Sequence, residues 1–394
     1  MIPLVKDTID KEDIDSLIKW LQTYPHLTKG PVTLEYEKKW SHFIGCKYSA
    51  FVNSGSSANL LMISALIEAG RLNTGDKVVI PALSWATDLT PIVQLGLTPI
   101  LCDCNLDDLS IDIDYFKKLI QEEKPKVLIC VSVLGLVPQM EEISNLCNEN
   151  NIILLEDACE SLGSEFKGKK LGTFGLMSSF STFFGHHMST IEGGMVCTDD
   201  PEMSNIIRAI RSHGWDRDMD EDYRTNLRQK HNVQEFQSLY TFYYYGFNVR
   251  STDLQAFIGI KQLEKLHFII KRRHENYNLY HKLLNNDIWK PVKDIKNLYT
   301  SNFAYPIIHK DREKIIKMLQ QNNISVRPLI CGSLALQPFW RKKYPKINLI
   351  NATTINNFGF YVPNNHKISQ AEIEKICAVI NETTSQNWSK EDSL

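Results

Sequence analysis

The stretch Ser179–Val196, SFSTFFGHHMSTIEGGMV, sets two adjacent imidazoles, His186 and His187, between an aromatic run and the triplet Glu192-Gly193-Gly194. Histidine titrates near neutral pH, at about 6.5 when unperturbed, so an imidazole facing a reacting carbon can act as general acid and general base. Adjacent side chains on an extended segment point to opposite faces, which makes the pair a poor bidentate metal site, and no metal is expected. The competing reading is a pair of buried histidines without chemistry. Ser181 lies five residues before His186, and its hydroxyl is suited to a phosphate oxygen.

Three further groups have matching chemistry. Asn53-Ser54-Gly55-Ser56-Ser57-Ala58-Asn59 joins a short strand, Tyr48–Val52, to the helical run NLLMISALIEAG. A strand, a small-residue turn and a helix start together form an anion cradle; a simple N-cap at Ser54 or Ser56 is the alternative. Trp85 ends the strand-and-loop segment VVIPALSW, where it either packs in the core or stacks on a flat heteroaromatic ring. The apolar run from Ile152 ends in Glu156-Asp157-Ala158-Cys159-Glu160. Asp157 is apt to pair with a protonated pyridine nitrogen, and Glu160 to support the ring or a neighbouring histidine. Capping of a following helix is the plainer use of these acids.

The elements that must position these groups alternate. Apolar strands at KVVIP, TPILCDC, KVLICVSVLG and IILLED are separated by helices near Ile113–Glu122 and at MEEISNLCNEN, the pattern of an α/β fold with a mostly parallel sheet covered on both faces, ligands binding at the carboxyl ends of the strands. After the MVCTDD strand, the charge-rich stretch 216–240 reads as a solvated surface loop. A helix of about 30 residues is expected from Thr252. Beyond it Tyr299–Ile308, REKIIKMLQQN, ISVRPLI and Gln370–Asn381 make a small C-terminal α/β domain, with a frayed polar end. The expected division is residues 1–250 for a large domain with N-terminal helices, 251–284 for the connecting helix and 285–394 for the small domain.

With 394 residues and 43% apolar content the chain can bury a large core, and its net charge of −2 gives no electrostatic case for nucleic acid or an anionic membrane. The N-terminus has neither a basic region nor a long apolar run, so a cytoplasmic location is expected. Nine cysteines occur without a CxxC pair, which points to reduced thiols; Cys102 and Cys104 read as strand packing.

SGSSANLLM, PALSW, LLEDACES, GTFGLMSSFSTFFGHHMSTIEGG, RSHGWDR and GFNVR occur in this order, and along almost its entire length the chain resembles the DegT/DnrJ/EryC1/StrS family of sugar-nucleotide aminotransferases. That resemblance implies a fold type I architecture and a pyridoxal 5'-phosphate (PLP) or pyridoxamine 5'-phosphate (PMP) cofactor. In the family an aromatic run leads to a Schiff-base lysine six residues before Glu-Gly-Gly; here that position is His186, so the cofactor is expected to be untethered. The resemblance further implies that Gly55, Ser56 and Ser181 hold the phosphate, with Asn248 from the second subunit of a homodimer. Trp85 then stacks on the ring, Asp157 pairs with its nitrogen, Glu160 is a neighbouring acid and His186 is the base. Arg250 and Arg327 would anchor a nucleotide or the carboxylate of glutamate. Gly185 departs from the serine of the histidine-bearing relatives.

The implied reaction is loss of the C3 hydroxyl from a nucleotide-linked 4-keto-6-deoxy sugar, by default GDP-4-keto-6-deoxy-mannose, with L-glutamate regenerating PMP and ammonia released. An iron–sulfur-assisted variant of the reaction needs four cysteine thiolates, and residues 198–330 contain none. A 4-aminotransferase would need the missing lysine, since Lys169 and Lys170 read as part of a turn. A non-catalytic sensor or scaffold would have no use for the retained Asp157, Trp85 and Ser181.

Overall fold

The computed structural model describes residues 1–291 and 297–384; the expected fraying of the C-terminal end falls largely outside them. Seven strands form the main sheet: β1 (Tyr48–Val52), β2 (Lys77–Pro81), β3 (Thr98–Cys102), β4 (Val127–Val131), β5 (Ile153–Asp157), β8 (Met177–Ser181) and β9 (Gly194–Thr198). Between the fifth and sixth of these lie the two-residue strands β6 (Glu165–Phe166) and β7 (Lys169–Lys170), a hairpin to which β10 (Leu298–Tyr299) adds. The sheet order is β1-β9-β8-β5-β4-β2-β3. Six strands run one way and only β9 is reversed. The carboxyl ends of six strands and the amino end of β9 therefore share one edge.

Alternate strand residues serve opposite faces. Val78 and Ile80 join the cluster containing Leu61 and Met62 of α3 (Gly55–Glu68), whereas Val79 joins Phe116 of α5 (Ile113–Glu123) and Ile143 of α6 (Met140–Glu149). Both faces being covered explains why these strands read as unbroken apolar runs. A third cluster places Phe51, Phe180 and Met195 against Tyr36 and Trp40 of α2 (Pro31–Ile44). Helices α4 (Ala86–Gln94) and α7 (Pro201–Ile210) join α3 in the first of these clusters, and α1 (Lys11–Leu21) precedes α2.

Residues 216–240 differ from expectation. They contain α8 (Glu221–Lys230) and the short α9 (Glu235–Ser238). Helix α8 buries no side chain, so it has no apolar stripe to betray it; acids in its first turn and Arg228 and Lys230 in its last complement the helix dipole instead. The 31-residue α10 (Asp253–Leu283) then crosses the molecule. Past it, β11 (Ala304–Ile308), β13 (Gly359–Pro363) and β12 (Arg327–Pro328) form an antiparallel sheet in that order, with α11 (Arg312–Gln321), α12 (Pro338–Arg341), α13 (Ile350–Phe358) and α14 (Gln370–Thr383). The expected ISVRPLI strand shrinks to two residues, Arg327 and Pro328, since proline cannot extend the ladder.

The small sheet is stitched to the large one beside the shared edge. Leu334 N donates to Ala82 O at 2.8 Å and Phe303 N to Leu134 O at 2.8 Å. Trp289 Nε1 reaches Leu106 O at 3.0 Å, and Asn351 Nδ2 reaches Cys104 O at 2.7 Å. The N-terminal segment joins the same seam, through Ile2 N to Asn323 O at 2.7 Å and Ser325 N to Ile2 O at 3.0 Å.

One buried ion pair fixes α2 against β1. Arg211, fully buried, donates to Glu37 Oε1 at 2.5 Å and Phe51 O at 2.9 Å, and Glu37 Oε1 accepts from Phe51 N at 2.8 Å. Removing Glu37 leaves the buried Arg211 charge, among the described residues, only its longer, 3.4 Å ion pair with Asp218. Glu37→Ala is therefore expected to lower the unfolding free energy by about 3–5 kcal/mol, read as a lower urea midpoint at unchanged slope; a loss within about 0.5 kcal/mol, typical of surface changes, would show that the pair carries no such burden.

Candidate active site

At the shared edge the main sheet and the small sheet enclose a cavity of about 700 Å³. Ser54 caps α3, its hydroxyl accepting from Ser57 N at 3.1 Å, which frees Ser56 to donate to Thr87 Oγ1 at 3.0 Å. A Cβ on Gly55 would stand 2.8 Å from Ser181 Cβ and 2.9 Å from Cys159 Sγ. The hollow at the helix start thus exists because residue 55 has no side chain, and it opens between Ser56 and Ser181, as an anion cradle requires.

The two glycines of Glu192-Gly193-Gly194 are explained by proximity. A Cβ at Gly194 would lie 2.3 Å from the Ser54 carbonyl, and one at Gly193 2.2 Å from Thr190 Oγ1 and 2.4 Å from Thr182 Oγ1. Those threonines pinch the base of the 182–190 loop: Thr190 N donates to Thr182 O at 2.9 Å and their hydroxyls meet at 2.5 Å. Neither glycine has a positive φ. Both are needed for space and not for backbone freedom.

Asp157 is buried beneath the cavity. Its carboxylate accepts from Cys159 N at 2.9 Å and from Asn59 Nδ2 at 2.7 Å, and the same amide donates to Asp88 Oδ1 at 2.6 Å. Asp88 also accepts from Trp85 N at 3.1 Å and from the Ser84 hydroxyl. Burial, reinforced by the nearby Asp157, pushes the Asp88 carboxyl well above the usual range. Helix capping does not explain these acids: Glu156 instead accepts from the Gly172, Phe174 and Gly175 amides. Trp85 is 58% exposed and lines the cavity, so core packing is not its role.

The paired histidines diverge. His187 is fully buried, its Nε2 bonded to Ser301 O at 2.9 Å and Ser301 Oγ at 3.1 Å. His186 faces the cavity, between the rings of Phe183 and Phe303 at 6.3 and 5.4 Å, and its Nδ1 is buried without a hydrogen-bond partner. Desolvation lowers its pKa to about 4; Asp157 opposes the shift and Arg273 adds to it. The imidazole is therefore neutral at pH 7 and able to accept a proton.

Glu160 also lines the cavity, but its carboxylate accepts from Leu134 N at 2.7 Å, holding a residue with φ 51°, and not from a histidine. Burial raises its pKa to about 8. Arg327 lines the cavity, whereas Asn248 and Arg250 do not; Arg250 Nε donates to Asn248 Oδ1 at 3.1 Å outside it. Residues that the sequence reading missed complete the walls: Asn59, Asp88, Phe303 and the N-terminal Pro3, Leu4 and Val5. Of these only Asn59, polar at the start of an apolar helix, carried a local signal.

The residues present fit a phosphorylated pyridine. The hollow at Gly55 would take the phosphate, Trp85 would offer its exposed face to the ring and Asp157 would supply a carboxylate for its nitrogen. Among the described residues lining the cavity there is no lysine, so none there can form an imine tether.

A profile described as the DegT/DnrJ/EryC1/StrS aminotransferase family matches residues 7–381. A GDP-4-keto-6-deoxy-D-mannose 3-dehydratase from Yersinia pseudotuberculosis is 34% identical over 382 residues, covering 94% of this chain and 95% of that protein. Two solved structures are similar at 31% identity, each covering 96% of this chain and 100% of the other. One is a GDP-4-keto-6-deoxymannose-3-dehydratase mutant with bound GDP-perosamine, at a TM-score of 0.88. The other is the same type of enzyme with a trapped PLP-glutamate geminal diamine, at 0.87.

The depressed pKa of His186 has a consequence for stability. Its folded value lies below the unfolded value of about 6.5, so the unfolded chain binds the extra proton first and the native state loses stability as pH falls from about 6.5 to about 4. In the cofactor-free protein, NMR of the ring is expected to show no protonation step between about pH 8 and 5, and His186→Asn should reduce the acid-side decline in Tm. A ring that titrates near its ordinary value contradicts this electrostatic picture.

Proposed function

The chain belongs to the DegT/DnrJ/EryC1/StrS aminotransferase family, and from that premise we propose that it is a PLP/PMP-dependent 3-dehydratase of a nucleotide-linked 4-keto-6-deoxy sugar. The observation that carries this reading is a neutral imidazole, His186, in a cavity that contains no lysine among its described lining residues. The names of the similar proteins favour GDP-4-keto-6-deoxy-mannose as substrate.

When bound, the aminated cofactor supplies an amine for the C4 ketone and an electron sink that lets the C3 hydroxyl depart. The protein's part is to hold and to move protons. Gly55, Ser56 and Ser181 retain the phosphate, which replaces the missing covalent tether. Asp157, fixed by Asn59 and the Cys159 amide, keeps the ring nitrogen protonated, and Trp85 covers the ring. His186 takes up a proton and returns it to the leaving hydroxyl, a cycle that suits a base neutral at rest. Phe183 and Phe303 flank the imidazole. The sugar leaves as a 3-deoxy-4-keto product with release of ammonia. L-Glutamate is the amino donor that restores PMP, and it leaves as 2-oxoglutarate.

The active unit is a homodimer with a shared site. Asn248 and Arg250 lie outside the cavity of their own protomer, close in sequence to the exposed Phe236, Leu239, Tyr240, Phe242 and Tyr245, an apolar set of the sort that marks an interface. Through it Asn248 reaches the partner's cofactor phosphate, Arg250 serves as a substrate anchor, and Arg327 anchors a nucleotide phosphate or the carboxylate of glutamate from within its own cavity.

Purified protein supplied with PLP, L-glutamate and a panel of nucleotide-linked 4-keto sugars is expected to release ammonia with the GDP-linked sugar. His186→Asn should bind PMP and lose ammonia release by about 10²- to 10⁴-fold, and borohydride reduction of the PLP-loaded wild type should leave no adduct by mass. An aminated sugar as product, or full turnover by the variant, would sink the proposal.

A further inference from the structure

Arg273, ten residues before the end of α10, is 2% exposed, yet among the described residues no carboxylate pairs with its guanidinium. Its hydrogen bonds go to main-chain oxygens: Nη1 to Asn364 O at 2.5 Å, Phe303 O at 2.7 Å and Asn302 O at 3.3 Å, and Nη2 to His186 O at 3.4 Å. Burial draws its pKa down to about 9, which still leaves it a cation at neutral pH. A buried unpaired charge is an unfavourable arrangement to keep for packing alone.

The carbonyls it gathers belong to three segments that meet behind His186. One is the turn carrying that residue. The second is the 302–303 wall, whose Phe303 ring lies against the imidazole at 5.4 Å with 57° between the planes. The third follows β13, where the Asn364 side chain donates back to Arg273 O at 3.1 Å and to Asn302 O at 3.2 Å. His187 ties the adjoining position to Ser301. Among the described residues no acid bonds His186 Nδ1 to orient its ring, the device that histidine bases otherwise use.

We propose that Arg273 is a positioning residue for His186: by clamping the backbone of the 186 turn to the wall that bears Phe303, it substitutes for the orienting carboxylate. This rests on the reading of His186 as the base. A carboxylate would orient the ring but favour its charged form; a cation bound to backbone orients the turn and disfavours that form. The charged and titratable groups facing the imidazole are Asp157 from β5 and Arg273 from α10, with His187 alongside and His366 beyond Arg273.

Arg273→Met, Arg273→Lys and Phe303→Leu are to be compared with wild type by ammonia release per bound PLP and by NMR titration of the His186 ring in the cofactor-free proteins. Arg273→Met should lower kcat about 100-fold, leave KM for the sugar within about twofold and let the ring protonate at higher pH, because a neighbouring cation is gone. Arg273→Lys keeps the charge without the fork, so the titration should stay near wild type while kcat falls about tenfold. Wild-type kcat and an unmoved titration in Arg273→Met overturn the proposal. If that variant does not fold, Arg273→Lys and Phe303→Leu decide, and wild-type kcat in both overturns it. Should His186→Asn turn over fully, the base assignment fails separately, while the ring titrations still report whether Arg273 acts on the 186 turn.

Discussion

Strand β9 approaches the start of α3 so closely that a methyl group on Gly194 would stand 2.3 Å from the Ser54 carbonyl, and the rest of the site is arranged around that approach. The one reversed strand of the sheet delivers its amino end to the edge where the six others end. The loop that precedes it, pinched by Thr182 and Thr190, must then project over the hollow at Gly55. The hollow at Gly55 and the His186 turn are thus brought together by a close backbone approach together with the Thr182–Thr190 pinch. Any residue larger than glycine at 194 pushes the two apart.

The electrostatics of the site separate its charges by layer. At the floor, Asp157 and Asp88 share the Asn59 amide, and burial favours the protonated form of Asp88. At the wall, a cation held only by carbonyls lies behind an imidazole with no polar partner on Nδ1. The floor therefore suits a cationic group and the wall favours the uncharged form of the His186 imidazole. These are complementary demands, and exchanging the histidine for an ordinary lysine would place a second cation beside Arg273.

Much of this was legible along the chain because it is local. Ser54–Asn59 reads as a cradle, Trp85 ends a strand, Asp157 ends another, and His186 sits at a fixed distance before Glu-Gly-Gly. The unread parts arise between distant positions. Asn59 meets Asp88 and Asp157, 29 and 98 residues away, and Arg273 reaches His186 from 87 residues away, so neither leaves a spacing to detect. Glu160 lines the cavity, but its bond to the left-handed Leu134 depends on a turn that no residue type announces. Helix α8 escaped because a helix that buries nothing has no apolar period.

The seam between the two sheets carries a further implication for how a ligand reaches the cavity. Swinging the lobes apart would break the links at Ala82, Leu134, Leu106 and Cys104 together. Asp103 accepts from the Asn351 and Ala352 amides across the same seam, so at about 1 kcal/mol for each such bond the gaped form would be rare. The space between the lobes is then a standing one, lined in part by Pro3, Leu4, Val5 and Arg327, and its width is fixed by the seam and not by a hinge.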